Sequence, residues 1–359
     1  MGPMHLRSAL ALLATALVLA ALPAASARAA QDVLIVSDSL RDRFWTLSPV
    51  DGSIISDSFI LNDAQSRFSQ VYRATPSGRN TLLMNDIDKD VIYEYSMTGI
   101  YLRTLASATA NGIVNPMGVC VHQGKIWFTC NDPSVTAQTA PGANAIWSME
   151  MDGSNCAPWF ANAALGAVRD ILPVQGGFIV GDSLNDRINF VSFDRTVVGV
   201  WSSQGLSLPQ QMSPRPEGGV VAAAFSAPYF GLYYFDGIGN LEGASQGVTS
   251  PRGVWVLDNG EYLYAGGTQI NAFNPVTAQT RNIINQTSPT SGFRWISRVT
   301  VPTPCPADLN IDGVVDGADM GLLLGAWGPG NGIADINRDG VVDGADMGLL
   351  LGAWGTCPP

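Results

Sequence analysis

Two stretches near the C-terminus carry the residue types and spacing of a calcium loop. Asp308–Gly328 (DLNIDGVVDGADMGLLLGAWG) and Asp335–Gly355 (DINRDGVVDGADMGLLLGAWG) differ at two of 21 positions. Each opens D-x-N-x-D-G and places further Asp residues at loop positions 9 and 12. Calcium is a hard cation that takes roughly six to eight oxygens, and a 12-residue loop supplies them from positions 1, 3, 5, 7, 9 and 12. In the first copy these are Asp308, Asn310, Asp312, the Val314 carbonyl, Asp316 and Asp319; in the second they are Asp335, Asn337, Asp339, the Val341 carbonyl, Asp343 and Asp346. Gly313 and Gly340 fall at position 6, where the chain must turn sharply. A turn explains one Asp-Asn-Asp-Gly cluster, but not two with every ligand position filled. Two Ca²⁺ are therefore expected.

Each loop runs into an apolar segment that must hold it in place. Met320, Leu323, Leu324 and Trp327 follow i, i+3, i+4, i+7 spacing, as do Met347, Leu350, Leu351 and Trp354, so each set predicts the packed stripe of a helix. Val315 and Val342, both at position 8, are expected to pair across the two loops. The loops end in Asp where the EF-hand motif has Glu, and no entering helix precedes Asp308.

Two such loop-helix units resemble a type I dockerin module, over the last 55 residues. The resemblance implies a calcium-folded module that docks onto a cohesin domain of a scaffold or surface protein, often in polysaccharide-degrading assemblies. Loop positions 10 and 11 contribute hydroxyls to cohesin recognition in many dockerins; here they are Gly317-Ala318 and Gly344-Ala345. The free helix face, Gly321, Leu322, Gly325 and Ala326, also lacks charge and hydroxyl. A smooth apolar contact around Leu322 or Leu349 fits better, with a cohesin-like or other scaffold protein or with the rest of this chain. The near-identity of the copies lets either present the same face, so two docking orientations are expected. Cys305 and Cys357 bracket the module and are expected to join its ends; Cys120, Cys130 and Cys156 leave three pairings open.

Upstream, short β-branched and aromatic runs alternate with Gly, Asn, Asp and Ser turns, the pattern of an all-β fold. Val33–Arg43 (VLIVSDSLRDR) and Phe178–Arg187 (FIVGDSLNDR) are copies of one strand-turn-strand unit, and Leu82–Val91 (LLMNDIDKDV) is a looser third. A further strand begins near Phe68, Pro116, Ala167, Leu208, Pro251 and Gly292, at intervals of 41 to 51 residues. That is the period of four-stranded propeller blades. The chain enters at Val33 on a second strand and finishes at Phe293–Val301 on a first one, so the last strand should complete the first blade. This stretch resembles six-bladed β-propellers of the NHL and YVTN-like kind. The fold expected is mainly β: a six-bladed propeller with a small C-terminal α-helical dockerin-like domain.

Asp38, Asp42, Asp86, Asp90, Asp182 and Asp186 recur at blade turns, where aspartates commonly satisfy backbone amides. The first strands, aligned at their second or third residue, give the column Ser69, Met117, Arg169, Gln210, Arg252 and Arg294. First strands line a propeller axis, so Arg169, Arg252 and Arg294 are expected at one mouth. Guanidiniums suit carboxylates, which points to an anionic ligand such as an acidic sugar. The competing reading pairs each arginine with a blade aspartate such as Asp170.

Residues 1–30 read as a secretory signal, with His5 and Arg7 before the apolar run Ala9–Leu22 and a small-residue cleavage region. The organisation expected is a signal peptide over 1–30, a β-propeller over 31–301, a linker over 302–307 and the dockerin-like domain over 308–359. The mature chain is then secreted, without a membrane span. Only 14% of residues are charged, yet the net charge is −11; with no basic run, nucleic acid is excluded as a partner. The last 55 residues hold eight Asp against one Arg, so much of the imbalance is ligand chemistry. Beyond the signal, His122 is the only imidazole, beside an apparent hairpin turn, and no catalytic residue is assigned. Two functions follow: a secreted calcium-binding protein whose propeller binds a ligand, or a polysaccharide-degrading or lactone-hydrolysing propeller enzyme recruited through its dockerin. Paired carboxylates about 5–10 Å apart would favour hydrolysis; an aromatic and arginine lining would favour binding.

Overall fold

The computed structural model describes residues 30–357 apart from 63, 64, 66, 133–143, 163–164, 246, 287–290, 303–304, 311–313, 331–332 and 338. The signal over 1–30 thus lies, except for Ala30, outside the described residues, as do Asp312 and Gly313 of the first calcium loop. Two compact units divide the described chain, Ala30–Pro302 and the residues from Thr303 onward.

In the first unit the described residues form six four-stranded antiparallel sheets. The first unit starts on the second strand of blade 1, Ala30–Asp38, continues through Arg43–Leu47 and Ile54–Leu61, and then builds five blades in order. Their innermost strands are Val71–Pro76, Pro116–His122, Val168–Val174, Pro209–Pro214 and Gly253–Val256. The last strand, Phe293–Pro302, returns to pair with Ala30–Asp38, Val33 lying opposite Val299. This closure is the one the end registers predict, and it leaves blade 1 with no open inner edge.

Blades pack face to face, so inner strands are buried on both sides and lose the usual alternation. Gly177–Asp182 and Val220–Ala224 are buried at every position. Outer strands regain solvent, as at Tyr101–Ser107. Each apolar cluster sits between adjacent blades: Phe44 and Val71 between blades 1 and 2, Leu83 and Phe128 between 2 and 3, and Trp127 and Phe178 between 3 and 4. Ile179 and Phe235 join blades 4 and 5, Leu232 and Tyr264 blades 5 and 6, and Leu263 and Trp45 blades 6 and 1. Six interfaces close a ring of six. Burying one such large side chain contributes roughly 1.5–3 kcal/mol.

Near the axis the innermost strands approach so closely that some positions admit only glycine. A Cβ on Gly253 would lie 2.2 Å from the Arg294 carbonyl oxygen, and one on Gly118 would lie 2.7 Å from Asp170 Cα. The recurring aspartates fasten the turns. Asp38 accepts the Gly292 N–H (2.7 Å), Asp86 the Ser69 and Gln70 N–H groups (2.7 and 2.9 Å), and Asp182 the Gly166 N–H (2.9 Å).

In the C-terminal unit the predicted helices are Gly317–Gly325 and Gly344–Gly352. Each starts in a capping box: Asp316 or Asp343 at the N-cap, Asp319 or Asp346 at the third helical position. Leu323, Leu350, Val315, Val342, Leu309 and Ala334 form the core, with Met320 and Met347 packed against it. Two expectations fail here. Val315 and Val342 do not pair with each other; Val315 pairs with Gly355 and Val342 with Gly328, each with the segment after the other loop's helix. The apolar stripe is also narrower than the spacing predicts, because Leu324, Leu351, Trp327 and Trp354 are about half exposed. Each helix ends at Gly325 or Gly352, so the tryptophans lie beyond the last turn, and a two-helix core has room for only the i, i+3 line.

Cys305 and Cys357 form a disulfide with Cα atoms 5.9 Å apart, while Cys120, Cys130 and Cys156 are free thiols. The bridge spans 52 positions, and in the chain-entropy model closing such a loop stabilises by about 4 kcal/mol. The double Cys305→Ser, Cys357→Ser variant should lose about that much module stability, measured by urea denaturation followed through far-UV circular dichroism. An unchanged profile would contradict a stabilising bridge.

Candidate functional site

The innermost strands bring one residue from each blade to the mouth of the axis. Pairing fixes the register: Phe293 lies opposite Asp38, Val71 opposite Asp86 and Val168 opposite Asp182. The next residue in each strand is Arg294, Tyr72 and Arg169, joined by Met117, Gln210 and Arg252 from the other blades. Five residues of the expected column stand in this register, and at the sixth position the strand brings in a different residue. Ser69 is replaced by Tyr72, because Phe68–Gln70 is not yet strand: it turns so that the Ser69 and Gln70 N–H groups reach Asp86.

The three guanidiniums share one electrostatic environment. Burial pushes the Arg169 and Arg294 values down, the Tyr72 phenol opposes this, and the like charge of Arg252 lowers both. Their held geometry comes from neutral groups. Arg169 donates through Nε to Ser183 Oγ (2.8 Å) and lies 3.7 Å from Met117 Sδ. Arg252 stacks on Phe225 at 3.8 Å, and Arg294 lies over Tyr72 at 5.8 Å. The Arg294 Nε and Gln210 Oε1 atoms are buried with no hydrogen-bond partner among the described residues.

The reading that pairs these arginines with Asp170 does not hold. Asp170 is fully buried and bonds Arg73 Nη1 at 3.0 Å. It also accepts the Met212 N–H at 2.7 Å and the Ile171 N–H at 2.9 Å. Arg73 reaches on to Ser297 Oγ at 3.0 Å and lies over Trp295 at 5.8 Å. Gln211 accepts the Val254 and Ile296 N–H groups (3.1 and 2.8 Å). Trp295 is 1% exposed, so this layer is closely packed; the ring of residues ahead of it, with its three partly exposed arginines, is the cup.

Two other residues take modest roles. His122 stacks on Phe193 at 4.8 Å at the end of its strand, as a turn-side residue. Asp42 departs from its repeat. Its counterparts Asp90 and Asp186 accept the Asn115 and Leu208 N–H groups (2.6 and 2.7 Å), tying one blade to the next. In blade 1 the counterpart, the Gln70 N–H, goes to Asp86 instead (2.9 Å), and Asp42 Oδ1 is buried with no hydrogen-bond partner among the described residues. Burial, reinforced by the charges of Asp86, Asp38 and Asp88 and opposed by Lys89, pushes its carboxyl up to about 6. The folded value exceeds the unfolded one, so ionisation costs nothing near pH 4, costs progressively more up to about pH 6, and is constant above. After discounting for solvent screening, Asp42→Asn should gain about 1 kcal/mol at pH 7 over pH 4.5. A thermal-melt difference independent of pH would refute it.

The loops of the C-terminal unit are built around their last aspartate. Asp346, fully buried, accepts the Asn337 N–H (3.0 Å) and the Asp343 N–H (2.9 Å), so it ties loop positions 3 and 9 together. Those bonds hold its carboxyl below the usual range. Asp319 repeats this with Asn310 and Asp316 (3.0 and 2.8 Å). Asp335 accepts the Asp339 and Gly340 N–H groups (3.1 and 2.9 Å), and Asp339 Oδ1 accepts the Val341 N–H (2.9 Å). Asp319, Asp335 and Asp346 are buried without an ion-pair partner among the described residues. Each such carboxylate keeps lone pairs beyond those bonds. Buried carboxylates, an Asn amide and a backbone carbonyl in one loop are the donor set a hard divalent cation takes. A third group, Cys305, Asp308 and Cys357, is not a metal set, because its two sulfurs form the disulfide.

The expected docking residues are on the surface. Gly317, Ala318, Gly344 and Ala345 are exposed, and Leu322 and Leu349 are 47% and 48% exposed. A shallow apolar groove beside the first helix is lined by Gly321, Leu322, Gly325, Ala326, Ile333 and Ala334.

No family model matches the chain, and no curated protein matches it. Among solved structures it is similar to a chain of the nidogen/laminin complex, at 14% identity and TM-score 0.61, over 77% of this chain and all of that one. It is also similar to a streptogramin B lyase, at 14% identity and TM-score 0.50, over 72% of this chain and 80% of that one. At such identities the likeness is one of fold, a mainly β, six-bladed propeller.

Proposed function

We propose that the chain is an exported binding protein. Its propeller captures an anionic ligand, such as an acidic sugar, in the axial cup, and a dockerin-like module loaded with two Ca²⁺ attaches it to a scaffold or surface protein. One observation carries the ligand reading: three guanidiniums converge in the cup, and none has a carboxylate partner among the described residues. A guanidinium is positively charged at any physiological pH and matches planar oxyanions with its fork. An arginine-rich mouth supports recognition of an anion.

The module reading rests on the buried loop carboxylates and on helix faces that leave Leu322 and Leu349 open to a partner. The similar propeller chain in the nidogen/laminin complex is likewise part of a protein assembly. Calcium would neutralise the acidic loops, and the disulfide suits an oxidising compartment. Calorimetric titration of the intact protein with an oligouronate tests the cup. Wild type should bind, and the triple variant Arg169→Ala, Arg252→Ala, Arg294→Ala should lose at least a hundredfold in affinity. Equal binding by a folded triple variant would defeat the assignment.

A further inference from the structure

We infer that the cup is selective for a compact dianion, a phosphate or phosphomonoester, over a single carboxylate. The inference rests on reading the cup as an anion site and narrows what fills it. Three positive charges share one mouth, and the nearby carboxylates offset them only in small part. Arg73 and Asp170 pair with each other at 3.0 Å. Asp38 lies within electrostatic reach of Arg294 and offsets part of one charge; it is buried, accepts the Gly292 N–H at 2.7 Å and lies 3.9 Å from Arg43. One carboxylate would therefore leave about two charges uncompensated, and its two oxygens serve at most two forks. A tetrahedral dianion offers more acceptor oxygens to guanidiniums that approach from three different blades. Tyr72, Met117 and Gln210 are almost wholly buried, at 4%, 3% and 0% exposed, so the partly exposed guanidiniums are what the mouth offers a ligand. Stacking on Phe225, the Ser183 bond and the Tyr72 ring hold the guanidiniums in place before any ligand arrives, which lowers the ordering cost of binding.

The test is calorimetry on the intact chain at pH 7.5 and fixed ionic strength, with inorganic phosphate, a hexose phosphomonoester, acetate and glucuronate. Phosphate or the phosphomonoester should bind at least tenfold more tightly than either carboxylate. Arg252→Lys, which keeps the charge but loses the fork and the stacking, should weaken it about tenfold while retaining the wild-type thermal melt. A phosphomonoester that beats free phosphate marks the ester as the ligand class, and parity marks phosphate itself; both support the inference. Equal or tighter binding of acetate or glucuronate overturns the dianion preference and leaves the anion site standing. Binding by none of the four, with oligouronate binding also absent, removes both.

Discussion

Chelating calcium from the intact protein is expected to unfold the C-terminal unit. The core there is a handful of side chains, chiefly Leu323, Leu350, Val315 and Val342, too few to offset the conformational entropy of some fifty residues. What remains must come from the loops. A ligand present at a thousand times its dissociation constant stabilises by about 4 kcal/mol per site. Two occupied sites would then supply about 8 kcal/mol, comparable to the whole stability of a small domain. Without the cation, Asp319, Asp335 and Asp346 are buried carboxylates held only by backbone N–H groups, and the repulsion between loops favours opening. Hydrogen exchange on the full chain should show protection at Leu323 and Leu350 collapse with EDTA and return with Ca²⁺. Asp319→Ala with Asp346→Ala should abolish the calcium response while leaving propeller amides protected. Protection indifferent to chelation would refute a calcium-dependent fold.

The second large effect is expected in the closely packed layer next to the cup. Asp170→Ala removes the partner of a guanidinium that is only 8% exposed, and it strips the Met212 and Ile171 N–H groups of their acceptor. Breaking a buried ion pair from one side costs about 3–5 kcal/mol, because the surviving charge has no water to return to. Urea denaturation of Asp170→Ala should show a loss in that range. Adding Arg73→Met should recover part of it, since the stranded charge is then gone. A loss below about 1 kcal/mol would mean that Arg73 reaches solvent, and the close packing of this layer would be wrong.

The blades were legible because they repeat. Strand starts expected near Pro116, Ala167, Leu208 and Gly292 fall within one or two residues of the observed ones, and the mismatch of first and last strands announced the closure. Periodicity is less informative where a blade breaks its own pattern. Tyr72 was missed because the turn at Phe68–Gln70 serves Asp86 before the strand begins, and strand propensity does not register such a cap. The signal was available in the repeat itself, since the Asp-to-turn spacing of blades 1 and 4 places the mouth residue after the turn. The Arg73–Asp170 bond had no such signal, as it joins residues 97 positions apart across the axis. Helical spacing likewise named Leu324 and Trp327 as core, but how far a stripe is covered depends on what packs against it, and the short helices leave both exposed. The loop spacing was the most regular signal in the sequence, and the structure places each loop's last aspartate on the amides of positions 3 and 9.

The proposed function depends on an anion entering the cup. The most direct measurement is a crystal of the intact protein soaked in selenate, a tetrahedral dianion located by its anomalous scattering. The account predicts an anomalous peak at the mouth of the propeller axis, within hydrogen-bonding distance of Arg169, Arg252 and Arg294. A soak that leaves the three guanidiniums empty while selenate occupies other surface sites would contradict it.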